Sequence, residues 1–268
     1  MDTIAHTDID IMFGSGPFYM TGNTNGENIG IMMVHGLDET AADFRTIANS
    51  LNETEEYRVH LPLLPGFGLK PEELKNVEIP QWKAYINREL DLLKGFTEYQ
   101  FIGGHGLGGL LALIKAQKVD VDGIFCISTP INVKGFENII NSKNNAEEDY
   151  VPVDSELFKV ETNNEWVGYD KIPVNIIPKI RELISEMKSG LSQIKAPIIL
   201  FQGKEDNMIE KNSMDYIYEN IGSKIKEKVW LEHNDHEVLE SSDEHPIAEK
   251  LDAFIQKIVQ HNKKTDKN

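Results

Sequence analysis

Short apolar runs of strand length recur along this chain, separated by amphipathic stretches of helix length. That alternation limits the possible folds more than any other feature. A strand that is apolar on both faces has to be covered on both faces, as happens when helices flank a parallel sheet. Ile29 to Val34 (IGIMMV) is wholly apolar. Tyr57 to Leu61, Tyr99 to Gly103, Val121 to Ser128, Pro197 to Gln202 and Lys226 to Leu231 also read as strands. Between and after them, Glu39 to Leu51 sets Phe44, Ile47 and Leu51 at helical spacing, and Trp82 to Phe96 puts Trp82, Tyr85, Ile86, Leu90 and Leu93 on one face. Leu107 to about Gln117 reads as a helix, as does Pro246 to Val259 with Ile247, Leu251, Phe254, Ile255 and Ile258 in period. The pattern predicts an α/β fold with a mostly parallel central sheet flanked by helices. A chain of 268 residues that is 40% hydrophobic supplies one such core.

The rhythm breaks between Pro130 and Lys195, a stretch rich in Asn, Lys and Glu with scattered large apolar residues. It is too long for a simple loop. We read residues 130–195 as a cap of short helices inserted over the strand ends before the last two strands. Residues 1–129 and 196–268 then form the core of a single domain. Phe136, Phe158 and Trp166 are the cap aromatics that either pack its interior or face a ligand. The residues from His261 onward are polar and read as a frayed end.

A formal net charge of −17 would repel phosphate backbones and anionic membranes, which argues against nucleic-acid binding. The acidity is read as serving solubility, or secondarily as favouring neutral or cationic ligands. The first residues lack a basic region followed by an apolar one, so no signal peptide is expected. No apolar run approaches the roughly 18 residues of a membrane span. The single cysteine, Cys126, lies in an apolar strand and reads as a small buried hydrophobe. With no internal disulfide possible, a reducing, cytoplasmic setting is expected.

An open parallel sheet carries its working groups on the loops beyond the strands' carboxyl ends. Those loops hold His35-Gly36-Leu37, then Gly104-His105-Gly106-Leu107-Gly108-Gly109, then Gly203-Lys204-Glu205-Asp206-Asn207, then Glu232-His233-Asn234-Asp235-His236. The second has the form of a G-x-S-x-G nucleophile elbow in which glycine replaces the serine. Gly106 has no side chain with which to attack. The same glycine run between strand and helix is also compatible with a phosphate-binding turn. Its place far from the N-terminus, among loops of a different kind, argues against that.

With these markers, together with Pro17-Phe18-Tyr19 and Leu64-Pro65-Gly66-Phe67-Gly68, the chain resembles the α/β-hydrolases from about Pro17 to Ile258. It is most similar to small bacterial carboxylesterases and monoacylglycerol-lipase-like enzymes. The resemblance implies Asp206 as the acid of a triad, with Glu205 as competitor, and His236 as its base, with His233 as competitor. It implies the N–H groups of Leu37 and Leu107 as an oxyanion hole. His35 is expected to orient the oxyanion loop and His105 to pack within the elbow. No metal or cofactor is implied, and the partner is a small-molecule ester. Three readings of Gly106 follow: an esterase whose serine was replaced, a binding module built on an esterase pocket, or a site in which His236 and Asp206 activate water directly.

Overall fold

The computed structural model describes residues 12–22, 28–55, 57–134, 149–153, 167–232, 234–236, 238–239 and 246–265. Seven strands form the main sheet: β1 (Phe18–Met20), β2 (Ile29–Val34), β3 (Arg58–Leu61), β4 (Tyr99–His105), β5 (Gly123–Ile127), β8 (Ile198–Gly203) and β9 (Lys226–Leu231). Their order across the sheet is β1-β3-β2-β4-β5-β8-β9. Only the edge strand β1 runs antiparallel to its neighbour, and every other pairing is parallel.

The apolar strands are explained by two core layers. Met32, Val34, Ile102, Ile124, Cys126, Ile198 and Leu200 point to the layer that holds α3 (Ile79–Lys94), α4 (Leu107–Ala116), α5 (Ile176–Gly190) and α6 (Ser213–Asn220). Ile31, Met33, Phe101, Phe125, Ile127, Ile199 and Phe201 point to the layer beneath α1 (Arg45–Glu55) and α7 (Pro246–Thr265). Alternate residues of one strand thus serve opposite faces, so β2 has no polar residue. Each such side chain taken fully out of water contributes about 1.5–3 kcal/mol against the entropy of ordering it.

The chain leaves β2 toward β3 on one side, then crosses back to place β4 on the other. The loops after β2 and β4 therefore diverge and open a crevice at the carboxyl edge of the sheet. At that point α4 lies close against the sheet: a β-carbon on Gly104 or Gly108 would run into the Val34 carbonyl oxygen. The glycines around the elbow are needed for this approach as well as for the turn.

Details depart from the sequence expectation, among them the last helix, which runs on through Thr265 where a frayed end was expected from His261. The helix expected from Glu39 is preceded by a capping box: Thr40 Oγ1 accepts from the N–H of Ala42, and the Thr40 N–H donates to Asp43. The helical turns start at Ala41, which leaves Glu39 outside them. Strand β4 runs on through His105, straight into the elbow. The described part of 130–195 holds an antiparallel pair, β6 (Tyr150–Pro152) with β7 (Lys171–Pro173), and the 15-residue helix α5. Ile176, Ile177, Ile180, Leu183 and Met187 of α5 are buried in the α3/α4 layer, so this helix is part of the main core. Phe136, Phe158 and Trp166 lie outside the described residues.

Candidate active site

Gly106 joins β4 to α4 with φ 46° and ψ −107°, in the region that favours glycine. Its N–H donates to the Ile127 carbonyl at 3.0 Å, which fixes the turn against β5. A β-carbon built on Gly106 would lie 3.9 Å from His236 Nε2 and 4.0 Å from Gly36 Cα, without a closer described neighbour. In a rotamer turned toward the ring, a hydroxyl one bond farther out comes within the roughly 2.6–3.2 Å reach of a base at Nε2. The position is thus open to a side chain sterically, and the space beside it faces an imidazole.

His236 is held by Asp206 across 30 residues of sequence: Nδ1 lies 2.9 Å from Asp206 Oδ2. The other carboxylate oxygen, Oδ1, accepts from the N–H groups of Met208 at 3.0 Å and Ile209 at 3.1 Å. Burial pushes the Asp206 carboxyl upward. The hydrogen bond and charge of His236, joined by the two N–H groups, outweigh burial and hold it below the usual carboxylate range. An ionised Asp206 can only accept, so Nδ1 of His236 carries a proton and the ring turns Nε2 toward Gly106. The adjacent Glu205 is exposed, and of the two acidic residues it is Asp206 that reaches the imidazole. His233 lies outside the described residues.

The loop after β2 is shaped from below. His35 is fully buried, with Nδ1 donating to the Gly36 carbonyl at 2.9 Å and Nε2 accepting from the Leu64 N–H at 3.1 Å. Burial pushes its pKa down to about 4, against the smaller opposing pulls of the Gly36 carbonyl and Glu39, so the ring is neutral near pH 7. Its edge meets the Phe67 ring at 4.7 Å, tying the loop to the Leu64-Pro65-Gly66-Phe67-Gly68 segment. That segment is anchored in turn by Trp82 Nε1 donating to the Pro65 carbonyl at 3.0 Å and the Tyr169 hydroxyl donating to the Gly66 carbonyl at 2.7 Å.

Leu37 is half-buried at the mouth of the crevice, and Leu107 is the first residue of α4, where helix N–H groups are unpaired within the helix and the dipole favours negative charge. His105 is buried beside His236, with ring centroids 4.8 Å apart. Sequence reasoning missed Glu39, whose carboxylate accepts from the Gly36 N–H and pairs with His105 Nδ1. The capping box at Thr40 was the available signal, because it places Glu39 ahead of the helix. Cys126 is buried on β5 with its thiol pushed up to about 12 by burial, which disqualifies it as a nucleophile.

A helix-opening turn, an imidazole facing it and a buried carboxylate bonded behind that ring meet at one end of the sheet. Residues 28–243 match the family described as serine aminopeptidase, S33. The chain belongs to that family. It is 24% identical over 235 residues to a carboxylesterase of Bacillus subtilis (strain 168), spanning 87% of this chain and 94% of that protein. It is 25% identical over 248 residues to a thermostable monoacylglycerol lipase of Bacillus sp. (strain H-257), spanning 92% and 96%. A solved structure from work on the metagenome-derived lipolytic enzymes LipS and LipT superposes with a TM-score of 0.82 at 25% identity, covering 92% of this chain and 99% of that one. A Paleococcus ferrophilus monoacylglycerol lipase superposes with a TM-score of 0.71 at 18% identity, over 91% and 98%. The chain is therefore an α/β-hydrolase of carboxylesterase and monoacylglycerol-lipase type. Among its described residues no helix is long and apolar enough to cross a membrane.

Proposed function

We propose that this chain carries the binding and acid–base machinery of a carboxylic-ester hydrolase with Gly106 at the nucleophile position. It then binds ester substrates but forms no acyl-enzyme. The observation that carries this reading is the 3.9 Å separation between a β-carbon at Gly106 and His236 Nε2, with Asp206 bonded behind the ring.

Were a serine present, its hydroxyl would attack the ester carbonyl while Nε2 of His236 took the proton. The carbonyl oxygen, now anionic, would be received by the N–H groups of Leu37 and Leu107 at the opening of α4. His236 would then return its proton to the departing alcohol, and water would release the acid by the same route in reverse. With glycine at 106 the covalent route is closed. What persists is binding, the oxyanion site and any water that His236 activates, a remainder worth about 10³–10⁴-fold over water where triads have been dismantled.

The segment between β5 and α5 is rooted at the crevice on both sides. Val133 bridges to Ile209 beside Asp206, and the Tyr169 N–H donates to the Asp38 carbonyl at 3.0 Å next to Leu37. These anchors bring the described ends of that segment to the crevice.

The test is a panel of p-nitrophenyl esters and monoglycerides assayed with the chain as it stands and with Gly106→Ser. The expected result is a gain of at least about 10³-fold in kcat/KM for the serine form, which labels with a fluorophosphonate while the glycine form does not. A folded serine form without ester hydrolysis, beside tight binding of one defined ligand to both, would replace this reading with that of a binding module.

A further inference from the structure

The three loops that meet at Gly106 are connected beneath it by two side chains without a part in the chemistry above. Glu39 Oε2 accepts from the Gly36 N–H, and Glu39 Oε1 pairs with Nδ1 of His105. On the other edge of the same ring, His105 Nε2 lies 3.0 Å from the carbonyl oxygen of His236. Both side chains are only 2% exposed, so water cannot stand in for either partner. The chain of contacts runs from the His35–Gly36 peptide, through the residue preceding Gly106, to the backbone of His236.

The two groups facing His105 are both acceptors, one a carboxylate and the other a carbonyl. A neutral imidazole has a single N–H, so one of these contacts would set lone pair against lone pair in a buried place. An imidazolium donates Nε2–H to the His236 carbonyl and sets its positive charge against the Glu39 carboxylate. We infer that Glu39 holds His105 as a buried imidazolium, and that this pair is a positioning device fixing the oxyanion loop, the elbow and His236 in one mutual arrangement. Its charge state stands on the geometry alone, while its consequence for turnover rests on the esterase reading proposed above.

The electrostatics around the ring agree. Burial alone would lower the pKa of His105. The charge and hydrogen bond of Glu39, then the His236 carbonyl and the charge of Asp38, reverse this and raise it to about 9. Burial opposes ionisation of Glu39 as well, yet the charge and hydrogen bond of His105 and the Gly36 N–H keep its carboxyl below the ordinary value. The charged or titratable groups facing the pair are Asp38 and His35 from the loop after β2, Asp43 from the turn that follows it, and His236 from the last loop. Glu39 and His105 touch no substrate. They act through the His35–Gly36 peptide, one residue ahead of Leu37, and through the main chain of His236.

Nitrogen-15 NMR of the histidine rings in the chain as it stands tests the charge state without any variant. At about pH 7.5, where an unperturbed histidine is mostly neutral, His105 should show two protonated ring nitrogens and His35 one. A neutral His105 there overturns the inference. Glu39→Gln should turn His105 neutral at the same pH and move the ring signals of His236 and the amide signals of Leu37 and Leu107. A change confined to His105 would leave no positioning device and also overturns it.

In the Gly106→Ser background, kcat/KM should fall on an alkaline limb near pH 9. Glu39→Gln should draw that limb downward by at least about one pH unit and lower kcat about tenfold or more, with KM nearly unchanged. An unaltered pH profile with only a lower melting temperature would show a merely structural pair. A folded Gly106→Ser chain without esterase activity would refute the function proposed above, and the NMR result would still decide the charge pair.

Discussion

At Gly106, restoring a side chain has two opposed consequences. The backbone angles at this turn cost a non-glycine residue about 1–3 kcal/mol, while the space beyond the β-carbon leads to His236 Nε2. Gly106→Ala and Gly106→Ser should therefore both lower the melting temperature, by roughly 2–4 °C for each kcal/mol, the serine form less because its hydroxyl gains a hydrogen bond to His236. Calorimetry on the three forms checks this, and an alanine form as stable as the parent would remove strain from the account. Protonation gives the next residue-scale prediction. The Asp206 carboxyl is lowered on folding, so its stabilisation is complete above the unfolded value near 4 and is lost as pH falls below it. Asp206→Asn should flatten the acid limb of stability, read as urea midpoints between about pH 6 and pH 3. His105 is raised on folding, so its contribution is complete below about 6.5, declines above that and is gone once the pH passes about 9. In His105→Asn that alkaline decline should be absent from the same urea midpoints.

The elbow owes its form to the packing of two elements as well as to one turn. A β-carbon at Gly108 would meet the backbone of Val34 and His35, which cannot move without shifting β2 against α4. Gly108→Ala should accordingly destabilise more than Gly106→Ala, even though Gly108 has ordinary helical geometry, because a rigid collision is worse than a strained torsion with open space. Equal losses for the two substitutions in denaturant titrations would contradict this. The helices expected from periodicity over Trp82 to Phe96 and Pro246 to Val259 are present as α3 and α7, since their apolar faces repeat every 3.6 residues over several turns. Less of the helix after β2 was legible. Glu39 has good helix propensity, but the Thr40 and Asp43 side chains bind backbone N–H groups at the turn's start and leave Glu39 outside. The long helix Ile176–Gly190 was hidden in the composition of its neighbours. An Asn-, Lys- and Glu-rich stretch around it masks a helix that is buried along one face only.

For the molecule as a whole, the sheet is shared by two cores, one under α1 and α7 and the other under α3, α4 and α5. Ile199 and Leu200 are neighbours on β8 that face opposite layers. Ile199→Ala and Leu200→Ala should each cost about 2–5 kcal/mol and should move one common transition, because neither layer retains its sheet without the other. Far-ultraviolet circular dichroism and tryptophan fluorescence should give coincident midpoints in urea, and separated midpoints would show that the layers unfold independently. The α/β architecture was readable from the chain because strand burial on two faces is written directly as unbroken apolar runs. The loops that carry the site were readable too, because glycines, an aspartate and a histidine fall at the ends of those runs in a fixed order. Which of Glu205 and Asp206 meets His236 was decided only in three dimensions, by a turn that buries one carboxylate against two N–H groups and leaves the other in water. The Glu39–His105 pair was likewise invisible along the chain. Its partners are 66 positions apart, counted from 39 to 105, and local pattern holds no record of what two loops exclude water from when they meet.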